Sequence, residues 1–235
     1  MALPKLETPK HTCVLPSSGE TVVYRPFLVG EQKVLLVAQE SENTNEQVSE
    51  MIRLINICCD DIEANKLATI DLEYLFLQLR IKSVGETSDV QMECKNCQES
   101  IKVTVQLEQT TIEEPEEVVD HIVKITDSIS IDLSIPSYEI VNSVDLNNAE
   151  DPEVIFDVVA RCINTIIDGD EIHTRDDFTD KELMSFLDTM SLDQFEKVQK
   201  FFVNVKKLKL SGSYNCEKCQ ESNSYELVGI GNFFG

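Results

Sequence analysis

Two short stretches of the sequence repeat each other and carry paired thiols. The first contains Cys94 and Cys97 in CKNCQES, and the second contains Cys216 and Cys219 in CEKCQES. C-x-x-C spacing lets a tight turn direct two sulfurs at one ion, and two such turns complete a tetrahedral site with four cysteine ligands. The sequence therefore predicts that these four cysteines bind one Zn²⁺ ion.

Two other interpretations compete with zinc, namely a redox-active cysteine pair and a coincidence of spacing. A redox C-x-x-C normally stands singly at the start of a helix that follows a strand, because the helix N-terminus lowers the thiol pKa. Neither stretch opens a helical pattern, so zinc is favoured. Four protein ligands leave no coordination position for water or a substrate, which indicates a structural ion.

Each cysteine pair lies between two segments that are rich in β-forming residues. These segments are 88–93 and 101–107 around the first pair, and 207–214 and 224–230 around the second. The order strand, cysteine turn, strand is thus given twice, with more than a hundred residues between the copies. This pattern predicts a zinc ribbon in two halves, whose metal ties the end of the chain to its middle.

The residues before the first pair predict a hairpin followed by helices. Segments 11–15 and 21–27 are β-rich and are joined by the turn sequence PSSGE. Helical patterns follow around residues 34–38 and from 44 to about 58. Segment 70–81 has apolar residues at helical spacing, with acids in its first turn and bases in its last, as the helix dipole favours. We interpret it as the core helix against which the ribbon packs.

The residues between the two cysteine pairs read as an insertion. An acidic stretch, 108–120, is followed by short β-rich runs at 121–125 and 129–135, and then by helical patterns. One of these helices is predicted over 154–167. Two capping boxes, Thr179 with Glu182 and Ser191 with Gln194, predict the starts of two later helices.

Together these patterns predict an α+β fold in which an N-terminal hairpin and helices pack on a split four-cysteine zinc ribbon with an inserted helical unit. The predicted divisions are 1–110 (hairpin, helices and first half of the ribbon), 111–135 (acidic linker and short strands), 136–206 (inserted helical unit) and 207–235 (second half of the ribbon).

Composition limits the partners of the chain. Its 235 residues, 42% of them hydrophobic, are enough for a real core. Asp and Glu outnumber Lys and Arg 43 to 20, which gives a net charge of −23. Such a surface repels phosphate backbones and anionic membranes, so no nucleic-acid or membrane partner is expected. The charge favours basic protein partners, or it serves solubility alone. The N-terminus lacks an apolar signal segment, so we expect a cytoplasmic origin.

Few other residues suggest chemistry. The remaining cysteines lie in apolar surroundings, so we expect buried small hydrophobic residues rather than reactive thiols: Cys13, Cys58, Cys59 and Cys162. The histidines have no nucleophile near them in sequence: His11, His121 and His173. The chain has no Gly-rich phosphate loop, nucleophile elbow or H-E-x-x-H motif. We therefore expect neither enzymatic activity nor a small-molecule substrate.

Several stretches resemble a known family. They are LPKLETP at 3–9, LPSSG at 15–19, YRPFLV at 24–29 and DLEYLFLQLRIKSVGE at 71–86. These resemble the small baseplate-hub proteins of T-even-like contractile-tailed bacteriophages, closely over the first 110 residues and loosely beyond. In that family a cysteine-bearing knuckle often holds the place of the zinc turns.

The resemblance implies a non-enzymatic protein of the tail baseplate, needed to build the central hub. It would be assembled in the host cytoplasm, reside in the virion and contact other baseplate and tail proteins. Members of the family are described both as hub subunits and as assembly factors, and the sequence supports either. A domain stabilised by a structural zinc ion suits a permanent subunit. The high negative charge suits a chaperone that leaves, with aromatic residues for docking or for an ordinary helix core: Phe186, Phe195, Phe201 and Phe202. A cytosolic zinc-ribbon adaptor without a virion role is the alternative from a different class.

Overall fold

A computed structural model describes the chain over residues 8–33, 44–115, 117, 120–143 and 152–229. These residues combine helices and antiparallel strands, so the α+β class is confirmed. The strands are β1 (His11–Val14), β2 (Thr21–Tyr24), β3 (Thr87–Glu93), β4 (Ser100–Gln106), β5 (Thr111–Glu113), β6 (Ile122–Lys124), β7 (Ile129–Leu133), β8 (Ile163–Asp168), β9 (Glu171–Thr174), β10 (Lys207–Asn215) and β11 (Ser222–Val228). The α-helices are α1 (Thr44–Cys58), α2 (Thr69–Ser83), α3 (Tyr138–Ser143), α4 (Pro152–Arg161), α5 (Asp180–Asp188) and α6 (Leu192–Val203).

These elements form two compact units. The first unit draws on the described residues of Met1–Ala64, Ile70–Glu113 and Lys206–Gly235. The second unit draws on those of Asn65–Thr69 and Glu114–Val205. Both cysteine pairs belong to the first unit. The finer divisions expected from the sequence, at residues 110, 135 and 206, stay a prediction.

The N-terminal hairpin has the predicted form. β1 pairs antiparallel with β2, from His11 opposite Tyr24 to Val14 opposite Thr21. The turn between them closes with a hydrogen bond from the Leu15 N–H to the Glu20 carbonyl at 2.8 Å. Helix α1 confirms the pattern read over residues 44–58, whereas the helix predicted around residues 34–38 lies outside the described residues.

Helix α2 is largely enclosed, because buried residues occur on several of its faces. They are Ile70, Asp71, Leu72, Leu75, Leu77, Leu79 and Ile81. Six of these seven residues are large and apolar, so most of the driving force for placing this helix is removal of hydrocarbon from water. The predicted helix over 70–81 is thereby confirmed. The predicted packing of the ribbon on α2 stays a prediction.

Two further hairpins carry the cysteines, and all four of their strands were predicted. β3 and β4 pair antiparallel from Thr87 opposite Gln106 to Glu93 opposite Ser100. Because the first C-x-x-C lies between Glu93 and Ser100, it forms the tip of this hairpin.

The second of these hairpins is β10–β11, which pairs from Lys209 opposite Val228 to Asn215 opposite Ser222. The second C-x-x-C forms its tip in the same way. β5 adds to the other edge of β10 and makes a three-stranded sheet. The short strand β5 lies in the stretch that the sequence indicated as an acidic loop.

The second unit is built on a four-stranded antiparallel sheet in the order β6-β7-β8-β9. Apolar residues of the sheet and of helices α4, α5 and α6 share one core, which includes Ile131, Ile163, Leu187 and Val198. Both predicted capping boxes are present, at Thr179 for α5 and Ser191 for α6.

The four phenylalanines considered for docking belong to this core: Phe201 is buried, and Phe186, Phe195 and Phe202 pack partly buried against it. The core interpretation of these rings is therefore favoured.

The interpretation of residues 136–206 as a purely helical unit is wrong in its middle. The helix predicted over 154–167 ends at Arg161, and Ile163–Asp168 forms strand β8, which pairs with both β7 and β9. β-branched side chains are frequent after Cys162, and such residues favour strands. Gly169 then supplies the turn to β9 with φ +58°. Among the described residues, no helix has both the length and the apolar character that a bilayer crossing demands.

Candidate metal centre

The tips of the β3–β4 and β10–β11 hairpins bring four sulfur atoms into one cluster. The Sγ atoms of Cys94, Cys97, Cys216 and Cys219 all lie within 4.8 Å of one another. Cys94 Sγ lies 3.7 Å from Cys219 Sγ, and Cys97 Sγ lies 3.6 Å from Cys216 Sγ. Four sulfurs bound tetrahedrally at a Zn–S distance of about 2.3 Å would stand about 3.8 Å apart. The size of the cluster therefore fits one zinc ion.

Both cysteine turns have the same backbone structure. In the first, the Cys94 N–H donates to the Glu99 carbonyl and the Gln98 N–H donates to the Cys94 carbonyl, each at 2.9 Å. The second turn repeats both bonds at 2.8 Å, between Cys216, Gln220 and Glu221. The glutamine after the second cysteine has a left-handed backbone in each case, with φ of 58° at Gln98 and 60° at Gln220. That conformation is strained for a residue with a side chain, so both turns hold the same unfavourable geometry.

Amide groups of the turns are directed at sulfur atoms. The N–H group of Cys97 donates to the Cys94 sulfur, as do the Asn96 N–H and the Asn223 side chain. With the Cys219 thiol, these donors lower the pKa of the Cys94 thiol to about 6 despite its burial. The Glu221 N–H likewise lowers the pKa of Cys219. In the second turn the Cys219 N–H lies 3.5 Å from Cys216 Sγ. Hydrogen bonds of this kind stabilise the thiolate, which is the form that binds a metal.

Cys97 behaves differently from the other thiols. The Glu99 N–H lowers its pKa, but burial and the adjacent sulfurs of Cys219, Cys216 and Cys94 raise it to about 12. Negative charge on several sulfurs this close together is mutually repulsive. A divalent cation at the centre would offset that repulsion, so the cluster has the electrostatics of a cation site.

Side chains of the second hairpin contact the first hairpin around the sulfurs. The Tyr214 hydroxyl donates to the Glu93 carbonyl at 3.0 Å. The Lys218 ammonium pairs with the Glu99 carboxylate. Asn223, which is buried, bonds to the first turn at both ends of its amide. None of these three contacts was predicted from the sequence.

Thiolates are ligands that Zn²⁺ prefers, and a set of four makes a closed structural site. The donor type, the spacing and the local charge of this cluster therefore all fit zinc. Among the described residues, only these four cysteines form a group of His, Cys, Asp or Glu compact enough to hold a metal ion. The predicted ligands are thus brought together, while metal binding itself stays a prediction.

The remaining cysteines are buried, as their apolar surroundings predicted: Cys13, Cys58, Cys59 and Cys162. Burial raises the pKa of Cys162 to about 12 and that of Cys13 to about 11. Because reactivity requires the thiolate, these thiols are suited to packing rather than to chemistry. They take no part in the sulfur cluster.

Comparison with known proteins gives one match. The sequence profile of a family described as T4 bacteriophage base plate protein matches residues 8–235. The match spans both cysteine hairpins and the whole of the second unit. No curated protein and no solved structure matches the chain.

Proposed function

This chain belongs to the T4 bacteriophage base plate protein family, and from that premise we propose that it is a non-enzymatic subunit of the baseplate hub whose fold is held by one structural Zn²⁺ ion. A structural baseplate protein acts through contacts with other phage structural proteins and is located in the virion tail. The hub position, the zinc ion and assembly in the host cytoplasm are the parts that we add.

The zinc part of the proposal is supported by one observation above all. Two hairpins that are 119 to 125 residues apart direct four sulfurs into a cluster in which every pair lies within 4.8 Å. Without a metal, four thiols this close together, two of them buried, would leave their charges or their protons uncompensated. With Zn²⁺ bound, the site would join the two hairpins as a cross-link and would offer no open position for a substrate.

The hub part is supported by the resemblance of the YRPF segment and of helix α2 to hub proteins. In this chain Arg25 forms two hydrogen bonds to the Glu31 carboxylate, at 2.8 and 3.0 Å, and the Leu28 N–H also donates to Glu31. Both charged side chains are half-buried. The segment therefore has a defined shape, which suits a building block that other subunits contact repeatedly.

One observation favours a second candidate, a hub assembly factor that is absent from the mature virion. The net charge of −23 is suited to screening a basic surface of a partner until that surface is buried in the baseplate. Such a factor would use the same fold and the same zinc ion, so the two candidates differ in where the protein is found.

Quantitative mass spectrometry of purified particles and of the infected-cell lysate tests the hub proposal. We expect the protein in particles at a small, fixed copy number relative to other baseplate proteins. Its presence in the lysate and absence from particles would reject the subunit and support the assembly factor. Absence of any baseplate protein among its cross-linked neighbours in the lysate would reject both and favour an adaptor outside the virion.

Metal analysis of the purified protein tests the zinc proposal separately. We expect one zinc ion per chain by inductively coupled plasma mass spectrometry. A protein that is folded and contains no zinc, iron or other thiolate-bound metal would contradict the metal site while leaving the baseplate assignment unaffected.

A further inference from the structure

The two cysteine hairpins differ at an equivalent buried position just after the cysteine turn. Counting seven residues from the first cysteine of each turn gives Ile101 in the first hairpin and Asn223 in the second. Both residues are buried, and Asn223 is only 3% exposed. Buried asparagine is costly unless its amide is fully hydrogen-bonded, so its presence in one copy needs a physical reason.

The amide of Asn223 makes three contacts, which together fix its orientation. Its Oδ1 accepts a hydrogen bond from the Lys95 N–H at 3.0 Å. Its Nδ2 donates to the Cys94 sulfur at 3.4 Å and to the Glu221 carbonyl at 3.0 Å. If the amide were flipped, its NH₂ group would face the Lys95 N–H, another donor, and its oxygen would face the Glu221 carbonyl, another acceptor. Only the observed orientation therefore satisfies all partners. Asn223 therefore connects the second hairpin to the backbone and to the sulfur of the first turn.

We propose that Asn223 is a positioning residue for the metal ligand Cys94, holding the first cysteine turn in place and donating an N–H group to its thiolate. This inference rests on the zinc site of the proposed function. Four thiolates around one Zn²⁺ carry a net negative charge, and an N–H donor on sulfur stabilises that charge. Isoleucine has no polar atom, so Ile101 cannot make the reciprocal bond to Cys216. The two halves of the site therefore differ at this position, although the Asn96 side chain of the first turn also hydrogen-bonds the Cys219 sulfur.

Groups that hydrogen-bond to metal ligands commonly change metal affinity by about 10- to 100-fold when they are removed. Two substitutions separate the functions of the Asn223 amide. Asn223→Asp keeps an oxygen that can accept from Lys95 but replaces the N–H donor by a negative charge beside the sulfur. Asn223→Ile removes both and gives the second hairpin the residue that the first already carries.

Tyr214→Phe is the matched control. It removes a hydrogen bond of 3.0 Å between the same two hairpins, but its partner is the Glu93 carbonyl rather than a sulfur. A residue that only docks the hairpins would behave like Tyr214. A residue that acts on the ligand would change the metal as well.

The experiment uses the full chain loaded with Zn²⁺ or with Co²⁺ alone. We expect excess chelator to remove zinc about 10-fold faster or more from Asn223→Asp and Asn223→Ile than from the wild type. We also expect their Co²⁺–thiolate charge-transfer band to move to longer wavelength, because a sulfur without its N–H donor gives up electron density more easily. Tyr214→Phe should keep the wild-type band and release zinc at close to the wild-type rate.

The outcomes that overturn the inference are distinct. Wild-type release rates and an unshifted band in both Asn223 variants would refute it. A second result would also refute it: Tyr214→Phe releases zinc as fast as the Asn223 variants, and the Co²⁺–thiolate band of the Asn223 variants does not shift. Asn223 would then only dock the two hairpins. The band requires only a metal-bound fraction, so it decides the matter even for a poorly folded variant. Wild-type protein that binds neither ion would instead refute the zinc site itself.

Discussion

Ser17 donates both its backbone N–H and its hydroxyl to the carboxylate of Asp71, a residue 54 positions later in the chain. Ser17 lies in the turn between β1 and β2, and Asp71 lies in the first turn of helix α2. Asp71 is 2% exposed. A buried carboxylate at the start of α2 thus holds the tip of the N-terminal hairpin against this helix.

Removal of this carboxylate is expected to destabilise the first unit. We expect Asp71→Ala to lower the free energy of unfolding by about 2 kcal/mol, because two hydrogen bonds to a charged acceptor are lost. Ser17→Ala removes only the hydroxyl contact and should cost less, about 1 kcal/mol. Urea unfolding followed by circular dichroism measures both. Equal midpoints for wild type and Asp71→Ala would show that the contact contributes nothing.

The same residue predicts a pH dependence. Burial raises the pKa of Asp71, and the hydrogen bonds from Ser17 offset only part of that rise. A carboxyl whose folded pKa exceeds its unfolded pKa contributes stability below the unfolded value, and this contribution is lost as the pH rises through the folded value. Asp71→Asn cannot ionise, and its amide can still bond to Ser17. The free energy of unfolding of Asp71→Asn, measured relative to that of the wild type, should therefore increase as the pH rises from about 4 towards about 7. Parallel stability curves for the two proteins would contradict a raised pKa.

Loss of one cysteine ligand is expected to release the metal. We expect Cys216→Ser to bind no zinc and to lose more than about 4 kcal/mol of stability, the size typical of losing a structural metal. Cys162→Ala is the control, because Cys162 is equally buried but belongs to the second unit. It should retain one zinc ion per chain. Metal content and thermal unfolding, each with and without chelator, check both variants, and zinc retained by Cys216→Ser would disprove the four-ligand site.

A side chain at Gly212 is expected to displace Tyr225. The two residues face each other across β10 and β11, and a Cβ atom at Gly212 would lie 2.6 Å from Tyr225 Cζ and 2.8 Å from its Cε1. We expect Gly212→Ala to cost about 1–3 kcal/mol, as overpacking usually does. In a Tyr225→Ala background the same change should cost little, because the ring that it meets is gone. A double-mutant cycle by urea unfolding measures the coupling, and strictly additive costs would argue against the contact.

The cysteine hairpins were predictable because their information is local and given twice. C-x-x-C spacing, turn residues and flanking β-forming segments lie within 24 residues of sequence around each pair. The α-helix over 70–81 was predictable for a similar reason, its regular apolar spacing. Asp71 was interpreted only as a favourable charge for the helix dipole, since its partner Ser17 lies in a different element.

Strands β8 and β9 were missed because the apolar spacing of the preceding helix continues past Arg161. The sequence IIDGDEIHT did carry a hairpin signal, with Asp168-Gly169 between β-branched residues. Asn223 was missed because a single asparagine in a strand has no periodicity. One signal was available: when the two hairpins are aligned on their cysteines, a polar Asn223 stands where the first hairpin has the apolar Ile101.

The separation of the two hairpins along the chain also has a consequence for biosynthesis. Cys97 and Cys216 are 119 residues apart, so at ~5–20 residues per second the ribosome needs on the order of 10 s to go from one to the other. During that interval the first turn presents only half a set of ligands, while Glu114–Val205, the larger part of the second unit, is made. Tight capture of the proposed zinc ion would therefore be a late event, and it would mark a chain in which that part of the second unit has already been synthesised.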